Sequence, residues 1–114
     1  MCNVYTGTDK NRYASTSRSI RILGCVTSIK LENEFWRLLD EIAAAEGQST
    51  PKFINTLYKE LIDNHSEVRN FTSFLRVVCP IYLTQKLLGH EQSLLDVARE
   101  KLEADIQDRA QATA

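Results

Sequence analysis

The sequence predicts a mostly helical protein with one short β-ribbon, complete only as an intertwined homodimer with antiparallel intersubunit strands. Three observations carry that expectation. Residues 26–31 alternate apolar and polar side chains with a period of two. Two amphipathic helical segments with capping signals follow at once. A lone strand has unpaired edges and cannot bury its apolar face unaided, so a second copy must supply its neighbour.

Composition narrows the function classes. The 114 residues, 43% of them hydrophobic, suffice for one small core that association would enlarge. No apolar run approaches the roughly 18 residues a membrane span needs, and the start has no basic-then-apolar leader, so a soluble, cytoplasmic protein is expected. Cys2, Cys25 and Cys79 are widely spaced, which fits a reducing compartment better than a disulfide framework. With His65 and His90 isolated, neither a metal nor another cofactor is expected. A glycine-rich phosphate loop, a zinc-protease helix motif and a nucleophile elbow are all missing, so the chain reads as a non-enzyme.

The net charge of −1 conceals an asymmetry. Residues 1–30 carry Lys10, Arg12, Arg18, Arg21 and Lys30 against Asp9 alone, a net of +4. The remainder holds nine basic and fourteen acidic side chains, a net of −5. A phosphate-binding surface needs local rather than average positive charge, so contact with a polyanion belongs to the front of the chain.

Residues 1–17 are polar and aperiodic and read as an N-terminal arm. The core is expected over 18–66. Its strand, about 25–31, has Thr27, Ile29 and Leu31 on one face and Val26, Ser28 and Lys30 on the other. Residues 18–23 are also alternating and β-branched; a second strand turning at Gly24 is left open. A helix over about 33–46 starts at Asn33, a potential cap, has Glu34 in its first turn and ends at Gly47. A second, about 50–64, starts at Ser49 with Pro51 in its first turn. The expected dimer core is Thr27, Ile29, Leu31, Phe35, Trp36, Leu39, Ile42, Phe53, Ile54 and Leu57. A third helical segment over 67–90 should kink near Pro80 and end at Gly89. Residues 91–114 read as an amphipathic helix with Leu94, Leu95, Ala98, Leu102 and Ile106 on one side.

A two-stranded ribbon fits the major groove of duplex DNA. Lys30 would donate to guanine, Ser28 would donate or accept, and Val26 would touch a thymine methyl. Arg18 and Arg21 would supply charge from the flank. Ser49, Thr50 and Lys52, at a helix N-terminus, would hold a phosphate.

Thr27-Ser28-Ile29-Lys30-Leu31-Glu32, followed by Phe35-Trp36, Leu39, Ile42-Ala43 and Gly47, resembles the ribbon-helix-helix family. One bacterial subfamily of DNA-binding proteins also carries an Arg-Ser-x-Arg segment before the strand and Asn-Phe-x-Ser-x-x-Arg after the second helix. Residues 18–21 and 70–76 are similar to these, and the likeness spans roughly 17–83. The resemblance implies a homodimeric, sequence-specific binder of double-stranded DNA, a repressor of the broad type of the methionine and Arc repressors. The amphipathic tail leaves open a tetramer, or a protein partner as in an antitoxin.

Overall fold

A computed structural model of the chain describes residues 3–65 and 68–112. The expected boundary at 66/67, Cys2 and the last two residues of the tail lie outside them. Two short helices, α1 (Asn3–Thr6) and α2 (Lys10–Tyr13), precede a hairpin of β1 (Ser15–Ile22) and β2 (Cys25–Glu32). Three helices follow: α3 (Asn33–Ala45), α4 (Thr50–His65) and α5 (Phe71–Ala112). The chain is therefore mostly helical around a two-stranded antiparallel ribbon. It divides into two compact units, one ending at Pro80 and one beginning at Ile81.

The open question about residues 18–23 is answered by the hairpin. β1 pairs with β2 of the same chain in the register Ile22↔Cys25, Ile20↔Thr27, Arg18↔Ile29 and Thr16↔Leu31. Leu23 and Gly24 form the two-residue turn, both with positive φ (50° and 85°), the conformation whose twist matches that of the flanking strands. The Leu23 amide donates to Asn55 Oδ1 of α4 at 3.1 Å, which ties the turn to the helices.

Alternation then decides the core. Ile20 and Ile22 of β1 and Ile29 and Leu31 of β2 share the inner face and are buried. Trp36, Leu38, Leu39, Ile42 and Ala43 of α3, Phe53 and Ile54 of α4, and Leu75 and Cys79 of α5 complete this layer. Of the expected dimer-core residues, Phe35 and Leu57 are only half-buried. Thr27 is exposed: it has the inner-face parity, but it sits near the turn, where the helices leave a cleft.

α3 ends in a glycine motif. Gly47 has φ 69°, and the Gln48 and Gly47 amides donate to the carbonyls of Ala43 and Ala44 at 2.9 and 3.1 Å. Asn33 does not cap α3. It is the first helical residue, and its side chain accepts from the Thr16 hydroxyl and donates to the Asn11 carbonyl. The N-terminal residues are thus stapled to α3 and are not a featureless arm.

Helix α5 differs most from expectation. It contains Pro80 and runs through Gly89 with no break, whereas two separate segments were expected. A glycine within a helix costs only about 1 kcal/mol relative to alanine, which the leucine-rich turns on either side absorb. In the second unit Leu94, Leu95, Leu102 and Ile106 are exposed along this helix. No helix of the described residues is long and apolar enough to cross a membrane.

Candidate functional site

The hairpin's outer face is the most distinctive surface of the first unit. Cross-strand pairing sets Ser17 opposite Lys30, Ser19 opposite Ser28, and Arg21 opposite Val26. All six side chains are exposed. The face thus carries two cations, three hydroxyls and one small apolar group, with no acid among its six positions. Val26, Ser28 and Lys30 lie where the alternation of β2 requires. The contribution of Ser17 and Ser19 was missed, because the start of β1 at Ser15 has no apolar residue to mark it.

Arg18 does not share that face. Strand parity turns it toward the helices, where its guanidinium donates to both carboxylate oxygens of Asp40 at 2.9 and 3.1 Å. It also lies 4.4 Å from the centre of the Trp36 ring. Asp40 Oδ1 accepts a third hydrogen bond, from Thr50 Oγ1 at 2.6 Å. These bonds hold the Asp40 carboxyl below the usual carboxylate range; the Arg18 hydrogen bond contributes most. Trp36 is core, as its neighbourhood implied: it is 2% exposed, and its indole N–H donates to the Thr16 carbonyl at 2.8 Å.

The start of α4 lies where the sequence placed it. Ser49 Oγ accepts from the Lys52 amide at 3.3 Å, so that amide is capped within the chain and is not directed at a ligand. Pro51 and Lys52 are exposed and Thr50 is half-buried. Through Asp40, Thr50 is linked to Arg18 in the middle of β1. The ribbon and the α4 N-terminus are therefore coupled by one carboxylate.

Three further ion pairs frame the site. Arg12 donates to both oxygens of Glu34 at 2.9 and 3.1 Å, and Arg37 donates to Glu34 Oε1 at 2.6 Å. Arg76 of α5 donates to both oxygens of Glu32 at 3.0 and 3.2 Å. Below the turn, a half-open cleft of about 330 Å³ lies between Cys25, Thr27 and Ile29 of the ribbon and Tyr58 and Phe71 of the helices. Tyr58 and Phe71 meet edge to face, with ring centres 5.1 Å apart. Burial pushes the Cys79 thiol up to about 11, as suits an inert core residue. Among the described residues no cluster of three histidine, cysteine or acidic side chains could hold a metal ion.

The comparisons with known proteins agree with this arrangement. A family model described as a ribbon-helix-helix domain matches residues 15–83. Among solved structures, the chain is similar to an uncharacterized protein from Bordetella pertussis Tohama I. The identity is 40% and the TM-score 0.74, over 77% of this chain and 70% of that one. No curated protein matches.

Proposed function

The chain belongs to the ribbon-helix-helix domain family, and from that premise we propose that it is a dimeric, sequence-specific DNA-binding transcriptional regulator, a repressor, that lays its ribbon in the major groove. The observation that carries this reading is the outer face of the hairpin: from the turn to Lys30 it is exposed, cationic and without an acid, and the next pair, Ser15 and Glu32, ends in a carboxylate already held by Arg76. Such a face accepts the hydrogen-bonding edges of base pairs and does not repel the phosphates beside them.

Main-chain geometry supports the dimer. A pair flanking a two-residue turn exchanges hydrogen bonds, so Ile22 and Cys25 set the alternation along the hairpin. Val26, Ser28 and Lys30 then direct their backbone N–H and C=O groups to the free edge of β2. A second β2, antiparallel and centred on Ser28, pairs with that edge, sets Val26 opposite the partner's Lys30, and closes over the cleft beside Thr27. The resulting order, β1-β2-β2-β1, spans about 14 Å at the usual strand spacing, against a groove about 12 Å wide. The central strands enter and the outer ones meet the walls.

That geometry divides the labour. Val26, Ser28 and Lys30 read bases. Arg21, on the outer strand, meets phosphate, together with Ser49 and the Lys52 side chain at the start of α4, where the Thr50 hydroxyl is taken up by Asp40 and makes no phosphate contact. Arg18 supports this surface from behind through Asp40. The test is selection of bound sequences from random duplex DNA, run beside a measurement of solution mass. A palindromic site and an even-numbered oligomer are expected; absence of any enriched sequence would remove the proposal.

A second reading, a protein-binding tail of the antitoxin kind, is favoured by the exposed Leu94, Leu95, Leu102 and Ile106. The same residues suit a tetramer. Comparing the mass of the full chain with that of a chain stopped after His90 separates these: a halved oligomer favours self-association.

A further inference from the structure

We infer that Asp40 is a positioning residue that sets DNA specificity, by fixing the groove-reading ribbon against the phosphate-holding end of α4. The inference rests on the DNA-binding reading above and adds to it the device that keeps two contact elements in register.

Three elements converge on one carboxylate. Arg18 lies at the middle of β1, paired across the ribbon with Ile29, and directs both terminal nitrogens to Asp40. Thr50 is the first residue of α4 and gives its hydroxyl to Asp40 Oδ1, the oxygen that Arg18 also takes. Asp40 itself is anchored in α3 between the buried Leu39 and the buried Ile42. The arginine is further held in place by the Trp36 ring, 4.4 Å away, and that ring is fixed by its bond to Thr16. A bidentate arginine–carboxylate pair constrains direction as well as distance, so the Thr50 end of α4 cannot slide along the ribbon while the pair is intact.

The electrostatics point the same way. An acid beside a helix N-terminus that faces phosphate would oppose binding if its charge were unpaired. Arg18 neutralises it. The pair therefore contributes geometry without net charge, and the cations that face DNA are Arg21, Lys30 and Lys52. A device of this kind leaves attraction to any duplex intact and acts on the fit to one sequence, because base contacts by the ribbon and phosphate contacts by α4 must be made together.

The experiment compares Thr50→Val with Thr50→Ser. Both keep the net charge and suit the first turn of the helix, and only serine keeps the hydroxyl. Affinity is measured for the sequence selected by the wild-type full chain and for a random duplex of equal length, with melting temperature in parallel. Thr50→Val is expected to lower the ratio of selected to random affinity about tenfold, with random-duplex affinity within about twofold of wild type. Thr50→Ser is expected to restore the ratio. Asp40→Asn, which cannot hold Arg18 as an ion pair, should lower it at least as far. An unchanged ratio in Thr50→Val, an equal loss in Thr50→Ser, or a parallel loss on both duplexes that tracks a lower melting temperature would each overturn the inference. A wild-type chain that selects no sequence would instead remove the DNA-binding reading on which it stands.

Discussion

Glu32, the last residue of the ribbon, and Arg76, in the second turn of α5, face each other as a bidentate ion pair at 3.0 and 3.2 Å. Forty-four positions separate them in sequence. The pair explains why the segment after the second helix belongs with the ribbon: its first turns carry the arginine that holds the strand end, beside the buried Leu75 and Cys79. Both side chains keep about a third of their surface in water (31% and 38%), so their mutual attraction is screened. A double-mutant cycle with Glu32→Gln and Arg76→Gln is expected to give a coupling of about 0.5–1 kcal/mol in urea unfolding. A coupling near zero would mean that the pair is ornamental and that α5 is held by its apolar contacts alone.

Glu34 is predicted to make the fold acid-sensitive. Hydrogen bonds from Arg37 first, and Arg12 second, hold its carboxyl at about 2, against an ordinary 4.5. A depressed acid stabilises the folded chain fully above its unfolded value and loses that contribution as pH falls through the folded one. The expected loss therefore lies between about pH 4.5 and pH 2, with Glu32 and Asp40, both also below their ordinary values, acting in the same direction. Glu34→Gln should be somewhat less stable than wild type at neutral pH and should lose less over that window. Unfolding midpoints at about pH 7, 4.5 and 2.5, followed by Trp36 fluorescence, measure it; parallel profiles for the two proteins would refute the assignment.

Leu23 is a strained turn residue. Its φ of 50° places a branched side chain in a region that L-residues enter at a cost of about 1–2 kcal/mol, and half of that side chain remains exposed. Asparagine followed by glycine is the favoured pair for such a turn, and the main-chain bond to Asn55 does not depend on the side chain. Leu23→Asn is expected to stabilise the protein by about 1 kcal/mol in thermal or urea unfolding. Destabilisation would show that Leu23 makes a contact, for instance with a second chain, that outweighs its strain.

Much of this architecture was legible in the text of the chain, because period-two and period-3.6 patterns report burial directly. Ile29, Leu31, Leu39 and Ile54 are buried as the patterns required, and Gly47 ends its helix as placed. Residues 18–23 were ambiguous for a physical reason. Two isoleucines alternating with arginine and serine satisfy a strand, but Leu23 is a poor signal for the turn that pairs it. The role of Arg18 was hidden for the same reason, since only the register fixes which of two neighbouring arginines faces outward. Helix α5 defeated local reasoning because proline and glycine are statistical breakers, whereas the strong helix formers on both sides of Gly89, from Gln85 to Leu88 and from Glu91 to Leu95, carry the helix past that glycine. The Asp40–Thr50 bond had no sequence signal at all: a contact ten residues apart, across a glycine turn, depends on the angle between two helices.

A cross-link tests the two-fold directly. If two β2 strands pair antiparallel about Ser28, each Ser28 lies opposite its counterpart, with Cα atoms about 5.5 Å apart in a hydrogen-bonded pair. That distance lies within disulfide range. In a Cys2→Ser, Cys25→Ser background, which leaves the buried Cys79 as the one native thiol, Ser28→Cys should give a dimer band on a non-reducing gel under mild oxidation, reversed by reductant. Lys30→Cys, whose counterpart lies four residues farther along, should not. Equal cross-linking at both positions would indicate random collision, and none at Ser28 would move the axis away from it.

Arg21 and Lys30 share one face but should fail differently. Lys30 lies on the central strand, where a side chain reaches base edges, so Lys30→Ala is expected to cost about 1–3 kcal/mol on the selected sequence and to relax discrimination at the base pair it touches. Arg21 lies on the outer strand against the groove wall. Arg21→Ala should weaken selected and random duplexes alike and reduce the steepness of the salt dependence by about 2, one phosphate from each protomer. Titrations of fluorescent duplexes at several salt concentrations measure both quantities in one series. The opposite pattern, with discrimination lost in Arg21→Ala and only the salt slope changed in Lys30→Ala, would mean that β1 reads the bases. The groove-centred ribbon would then be the hairpin of a single chain and not a strand pair shared by two.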